Sequence, residues 1–96
     1  MVDHFELFVF KSVAKHLNFS KASAEVGVSA PQVTKIIATL EDKVKTKLLQ
    51  RTTRSVRLTD DGQAFLKSVI KTLDALNETN QFFAPALDSK SITGVV

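Results

Sequence analysis

Between residues 35 and 57 the chain carries Lys35, Lys43, Lys45, Lys47, Arg51, Arg54 and Arg57 against only Glu41 and Asp42. Cations at that density either form a solvated face or neutralise phosphates. Just ahead of them, Ser29-Ala30-Pro31-Gln32-Val33-Thr34-Lys35 begins a helix whose first turns carry groups suited to base edges. Gln32 can bond adenine through both ends of its amide, and Lys35 can reach guanine or a phosphate. Thr34 belongs to the same reading surface, while Ala30 and Pro31 offer only apolar contact, for instance to a thymine methyl. Ser20, Lys21 and Ser29 sit at helix starts, where hydroxyl, ammonium and backbone N–H groups hold phosphates. Arg51, Thr52, Thr53 and Arg54 can grip the backbone or an adjacent minor groove. Each of these has a plainer role as well. Ser20 and Ser29 cap helices with or without a nucleic acid, Gln32 can serve a capping box alone, and Arg57 can be a solvated strand residue.

Catalytic chemistry finds little to work with. His4 and His16 are the only histidines and there is no Cys, so no disulfide, thiolate ligand or catalytic thiol is available. No His/Asp/Glu spacing has the form of a metal site. Asp60-Asp61 is better explained by helix capping than by acid–base work, and Gly27, Gly62 and Gly94 are too isolated for a phosphate loop. The 96 residues suit one domain, which excludes a pocket formed between two domains of this chain. A balance of 44% hydrophobic and 24% charged residues is that of a globular chain. The net charge of +3 is uneven: residues 1–60 hold ten basic and six acidic side chains, residues 61–96 three and four. Asp3, His4 and Glu6 stand where a secretion signal needs a basic and then an apolar region. The longest apolar run, Leu7 to Phe10, is far short of a bilayer.

These side chains need a scaffold, and the periodicity supplies one. Phe5, Phe8, Val9, Val13 and Leu17, widened by Leu7, Phe10 and Ala14, place an amphipathic helix over residues 3–17. Asn18-Phe19-Ser20 interrupts it, and Ser20 reads as the N-cap of a short helix through Ala22, Ser23 and Val26. Gly27-Val28-Ser29 is a tight turn, with Gly27 suited to positive φ. Ser29-x-x-Gln32 forms a capping box with Pro31 in the first turn, and Val33, Ile37, Leu40 and Val44 make the buried stripe that follows. Two helices joined by a three-residue turn containing Gly form a helix-turn-helix. Lys47–Arg51 and Ser55–Leu58 read as a two-stranded wing, with Val56 and Leu58 on one face and Arg57 on the other.

Thr59 then caps a last helix, with Asp60 and Asp61 at its positive dipole end. Leu66, Val69, Leu73, Leu76, Asn80 and Phe83 form a narrow seam along it, and Pro85 is expected to end it near Ala84. A helix of about 25 residues spans close to 40 Å, more than so small a body covers. The seam either packs back on its own chain or pairs with a second copy, and its narrow, sustained stripe favours pairing. Asn80 within it would restrict register. The expected fold is mainly α: three helices plus a two-stranded wing over residues 1–58, a long dimerisation or linker helix over 59–84, and a hinge leading to a further domain over 85–96.

In chain order, Leu7-x-x-Phe10-x-x-Val13-Ala14, Asn18-Phe19-Ser20-Lys21-Ala22, Val28-Ser29-x-Pro31-x-Val33-Thr34-Lys35, Leu40-Glu41 and Arg51-Thr52-Thr53-Arg54-x-Val56-x-Leu58-Thr59-x-x-Gly62 closely resemble the DNA-binding domain of LysR-type transcriptional regulators. The likeness runs from about residue 3 to 66 and continues more loosely through the last helix. It implies a winged helix-turn-helix whose linker helix pairs antiparallel with its mate. It further implies a bacterial, cytoplasmic regulator that binds an interrupted palindrome in double-stranded promoter DNA, as a dimer or within a tetramer, away from membranes. Members usually continue into a domain that senses a small co-inducer, which Ser91–Val96 would enter, so no cofactor is expected in this chain. The family commonly has Gln at Ala30, a polar residue at Ile36, Gly at Lys45 and Ala at Ser23 and Asp61. Alternatives are a molybdate-responsive winged-helix regulator and a protein–protein dimerisation module without DNA binding; the basic wing argues against the second. An enzyme ranks third.

Overall fold

The computed structural model describes residues 1–90, with side-chain surroundings for residues 1–79. The expected domain entry at residues 91–96 lies outside the described residues. Helix α1 (His4–His16) starts on Asp3, whose carboxylate accepts the Glu6 N–H at 2.9 Å while Glu6 Oε1 accepts the Asp3 N–H at 3.0 Å. This reciprocal box satisfies two N–H groups that the helix leaves orphaned. Glu6 is buried and its carboxylate also takes Lys43 Nζ at 2.9 Å, which ties the start of α1 to a residue 37 positions further along the chain.

Helix α2 (Phe19–Val26) begins one residue after Asn18, not on the expected cap Ser20. Asn18 is extended, and its Oδ1 accepts the Lys21 N–H at 2.8 Å. Capping there puts Phe19 and Ser20 inside the first turn and lets Phe19 pack against the core. Gly27 closes α2 at φ 82°, a left-handed position that costs glycine nothing. Helix α3 (Ala30–Val44) follows, with Val33, Ile37 and Leu40 buried and Val44 half-buried. Strands β1 (Leu49–Arg51) and β2 (Val56–Leu58) pair antiparallel, Leu49 opposite Leu58 and Arg51 opposite Val56.

The last helix, α4, runs Asp60–Lys90. It does not end near Ala84: Pro85 lies within it. Proline's fixed φ of about −65° is itself helical, so the helix continues past it at the cost of one backbone hydrogen bond. The core gathers Val9, Phe10 and Val13 of α1, Ala22 of α2, Val33, Ile37 and Leu40 of α3, Leu48 just before the wing, Leu49 at the start of β1, and Val69 of α4. Phe10 and Phe65 meet edge-on at 5.4 Å, the arrangement favoured by ring quadrupoles. Gly62 is required by close approach, because a Cβ there would collide with the Leu48 carbonyl.

Candidate nucleic-acid interface

The turn between α2 and α3 is set by Ser29 and Gln32. Ser29 Oγ accepts the Gln32 N–H at 3.2 Å, and Gln32 Oε1 accepts the Ser29 N–H at 3.2 Å. With Val33 and Ile37 turned into the core, α3 presents Pro31, Gln32, Lys35 and Ala38 to solvent. Ala30 and Thr34 are half-buried beside them, and Thr34 Oγ1 donates to the Ala30 carbonyl at 3.2 Å. The amide oxygen of Gln32 is therefore engaged by its own helix start, so pairing with adenine through both amide ends requires that bond to open. The Gln32 Nε2 and Lys35 Nζ donors carry no such engagement among the described residues. Ser20, Lys21 and Ser29 are all exposed at the starts of α2 and α3.

The wing is anchored from both neighbouring helices. Glu41 of α3 accepts the backbone N–H groups of Leu48 at 2.8 Å and Leu49 at 3.1 Å. Thr59 Oγ1 donates to the Lys47 carbonyl at 2.7 Å and accepts the Gly62 N–H at 2.8 Å, so one residue joins the foot of the wing to the first turn of α4. At the tip, Thr52 Oγ1 accepts the Arg54 and Ser55 N–H groups at 3.2 and 3.0 Å, and the Thr52 N–H reaches the Ser55 carbonyl at 2.9 Å. Thr's own hydroxyl thus folds the turn and leaves Thr53 and Arg54 exposed. A groove of about 680 Å³ separates α3 from the wing, with Thr34, Ala38, Lys47, Arg51 and Arg57 among its lining residues.

Helix α2 is braced against α1 by Glu25. Its carboxylate accepts Ser12 Oγ at 2.5 Å, Lys15 Nζ at 3.1 Å and pairs with His16 Nε2 at 3.1 Å. These contacts, led by the Ser12 hydroxyl and then Lys15, hold the carboxyl down at about 2, well below its ordinary 4.5.

The seam residues whose side chains are described, Leu66, Val69, Leu73 and Leu76, have unlike surroundings. Val69 is 1% exposed and lies in the core, and Leu66 and Leu73 pack partly against it. Val69 therefore has no surface left for a second chain, which corrects its expected place in a pairing face. The apolar period along α4 marks one side of the helix, and the body of the chain covers the first part of that side. Leu76 is 39% exposed, as is Ile70 at 37%. The side chains of Asn80 and Phe83 lie outside the described ones.

Two contributors were not anticipated from sequence. Glu41 acts through backbone N–H groups at the entry to the wing's first strand, and its place in the Leu40-Glu41 motif, acidic within a basic stretch, marks the residue without disclosing that role. Phe19 stands under Arg51, with Cζ 4.4 Å from the ring centroid; an aromatic residue beside a helix cap reads as core in sequence alone.

Three helices, a tight turn between the second and third, and a two-stranded wing define a winged helix-turn-helix protein. The chain belongs to the LysR family of bacterial regulatory helix-turn-helix proteins, whose family model matches residues 5–63. Among its relatives, the uncharacterised regulator YfeR of Shigella flexneri is 40% identical over 74 residues, covering 77% of this chain and 24% of that protein. The transcriptional regulator BudR of Klebsiella aerogenes is 35% identical over 89 residues, covering 90% and 62%. The chain thus spans less than two thirds of either relative. A solved complex of the CbnR DNA-binding domain with DNA superposes with a TM-score of 0.82 at 28% identity, over 90% of this chain and 99% of that one. Full-length CbnR bound to its target DNA gives 0.79 at 29%, over 83% and 28%.

Proposed function

We propose that this chain is the double-stranded-DNA-reading part of a transcription regulator. In this reading α3 enters a major groove with Pro31, Gln32 and Lys35, while Arg51, Thr52, Thr53 and Arg54 hold the flanking backbone or minor groove. The observation that carries it is the exposure of the α3 start and of the wing, which share one groove lined by Thr34, Arg51 and Thr52, each fixed by its own hydrogen bonds to backbone N–H groups. The likeness to a DNA-binding domain seen bound to DNA supports it. Two copies paired through the outward residues of α4, Leu76 first among them, would present two such readers to an interrupted palindrome. A small co-inducer would act through parts of the protein other than these 96 residues, in the bacterial cytoplasm. Among the described residues no helix is long and apolar enough to cross a membrane.

The test is an anisotropy titration against upstream DNA at several salt concentrations. With about four phosphates neutralised, affinity is expected to fall roughly a hundredfold between 50 and 200 mM salt. Binding that ignores salt, or no binding at all, would remove the reading.

A further inference from the structure

We propose that Phe19 is a positioning residue for Arg51, holding the arginine's guanidinium over its ring so that the N–H donors remain for the DNA backbone. Phe19 is the first residue of α2 and Arg51 the last of β1, so the contact joins the helix-turn-helix to the wing. One side of Phe19 packs against the core, which fixes the ring. The guanidinium lies over the remaining face at 4.4 Å, within the range where a ring quadrupole attracts a cation. Arg51 is exposed, and among the described residues no carboxylate lies within ion-pair distance of it. A ring offers the cation its quadrupole and no lone-pair acceptor, so the five N–H donors of the guanidinium remain to be satisfied by another partner. An unsupported arginine would have to give up its rotamer freedom when it met a phosphate; one already held over a ring has lost part of that freedom beforehand. The aromatic ring therefore serves affinity without touching DNA.

This inference rests on the DNA-binding reading above, and a double-mutant cycle separates the two. Duplexes selected by the wild-type chain from random DNA are titrated with F19L, F19Y, R51A and the F19L/R51A pair, alongside thermal melting of each. Phe19→Leu keeps apolar bulk against the core and removes the ring, and is expected to weaken binding roughly two- to fivefold, the size of an exposed cation–π contact. Phe19→Tyr restores it. In the R51A background the Leu substitution should change nothing further. In parallel, the Arg51 side-chain NMR signals should carry a ring-current shift that F19L abolishes and F19Y retains. A Leu effect of equal size with and without Arg51, or no effect on binding, would overturn the positioning role while leaving DNA binding intact. A wild-type chain that selects no duplex would overturn both.

Discussion

Gln32 shows how one side chain can be claimed by two demands. Its oxygen closes the box with Ser29, and its amide nitrogen points the same residue toward a ligand role. The two demands separate in Gln32→Glu. Glutamate serves a capping box as well as glutamine but has no amide donor for a base. Melting temperature should therefore hold, while discrimination at one base pair drops by about 1–3 kcal/mol in a selection from randomised half-sites. A variant that keeps full discrimination would confine Gln32 to the cap. The sequence made Gln32 legible because both partners lie within one helical turn. It did not make Phe19 legible, since its partner lies on a strand far along the chain, and only the assembled wing brings Arg51 over the ring.

Among the elements, those with local causes were the most readable. The Ser29 box, the Gly27 turn, the wing pairing and the Thr59 cap all arise within a few residues, and the structure has each of them. Residue type alone places the cap of α2 on Ser20, whereas Asn18 holds it, a residue type equally suited to the role, and Phe19 then packs against the core. Helix α3 ends on Lys45 at φ 56°, a left-handed conformation that costs a residue bearing a Cβ. Lys45→Gly should raise stability by about 1 kcal/mol, read as an increased melting temperature, because the ion pair it removes is an exposed one at 3.8 Å. The α1–α2 brace makes a pH prediction. Glu25 ionises more readily when folded than when unfolded, so its contribution is complete above about 4.5 and is lost as pH falls toward about 2. In acid titrations followed by circular dichroism, Glu25→Gln should be less stable than the parent at neutral pH. It should also lose less stability than the parent across that interval.

For the whole molecule, periodicity along α4 told which side is apolar but not what covers it. The division at Val69 and Leu76 gives opposite expectations for two substitutions. Val69→Ala removes methyls from a closed core and should cost about 1–2 kcal/mol of stability. Leu76→Asp alters an exposed position, so the fold should persist while sedimentation shifts from dimer to monomer and binding to a two-half-site duplex weakens. A Leu76→Asp chain that still sediments as a dimer would place the pairing face elsewhere, with Ile70 the next position to change. Thr59 then takes on a wider meaning. Through a single hydroxyl it fastens the foot of the wing to a helix of 31 residues, about 46 Å long. In the pair of chains proposed above, the same hydroxyl would tie the placing of each wing to the helix that joins the two copies, so the separation of two half-sites would be set by where along α4 the copies meet.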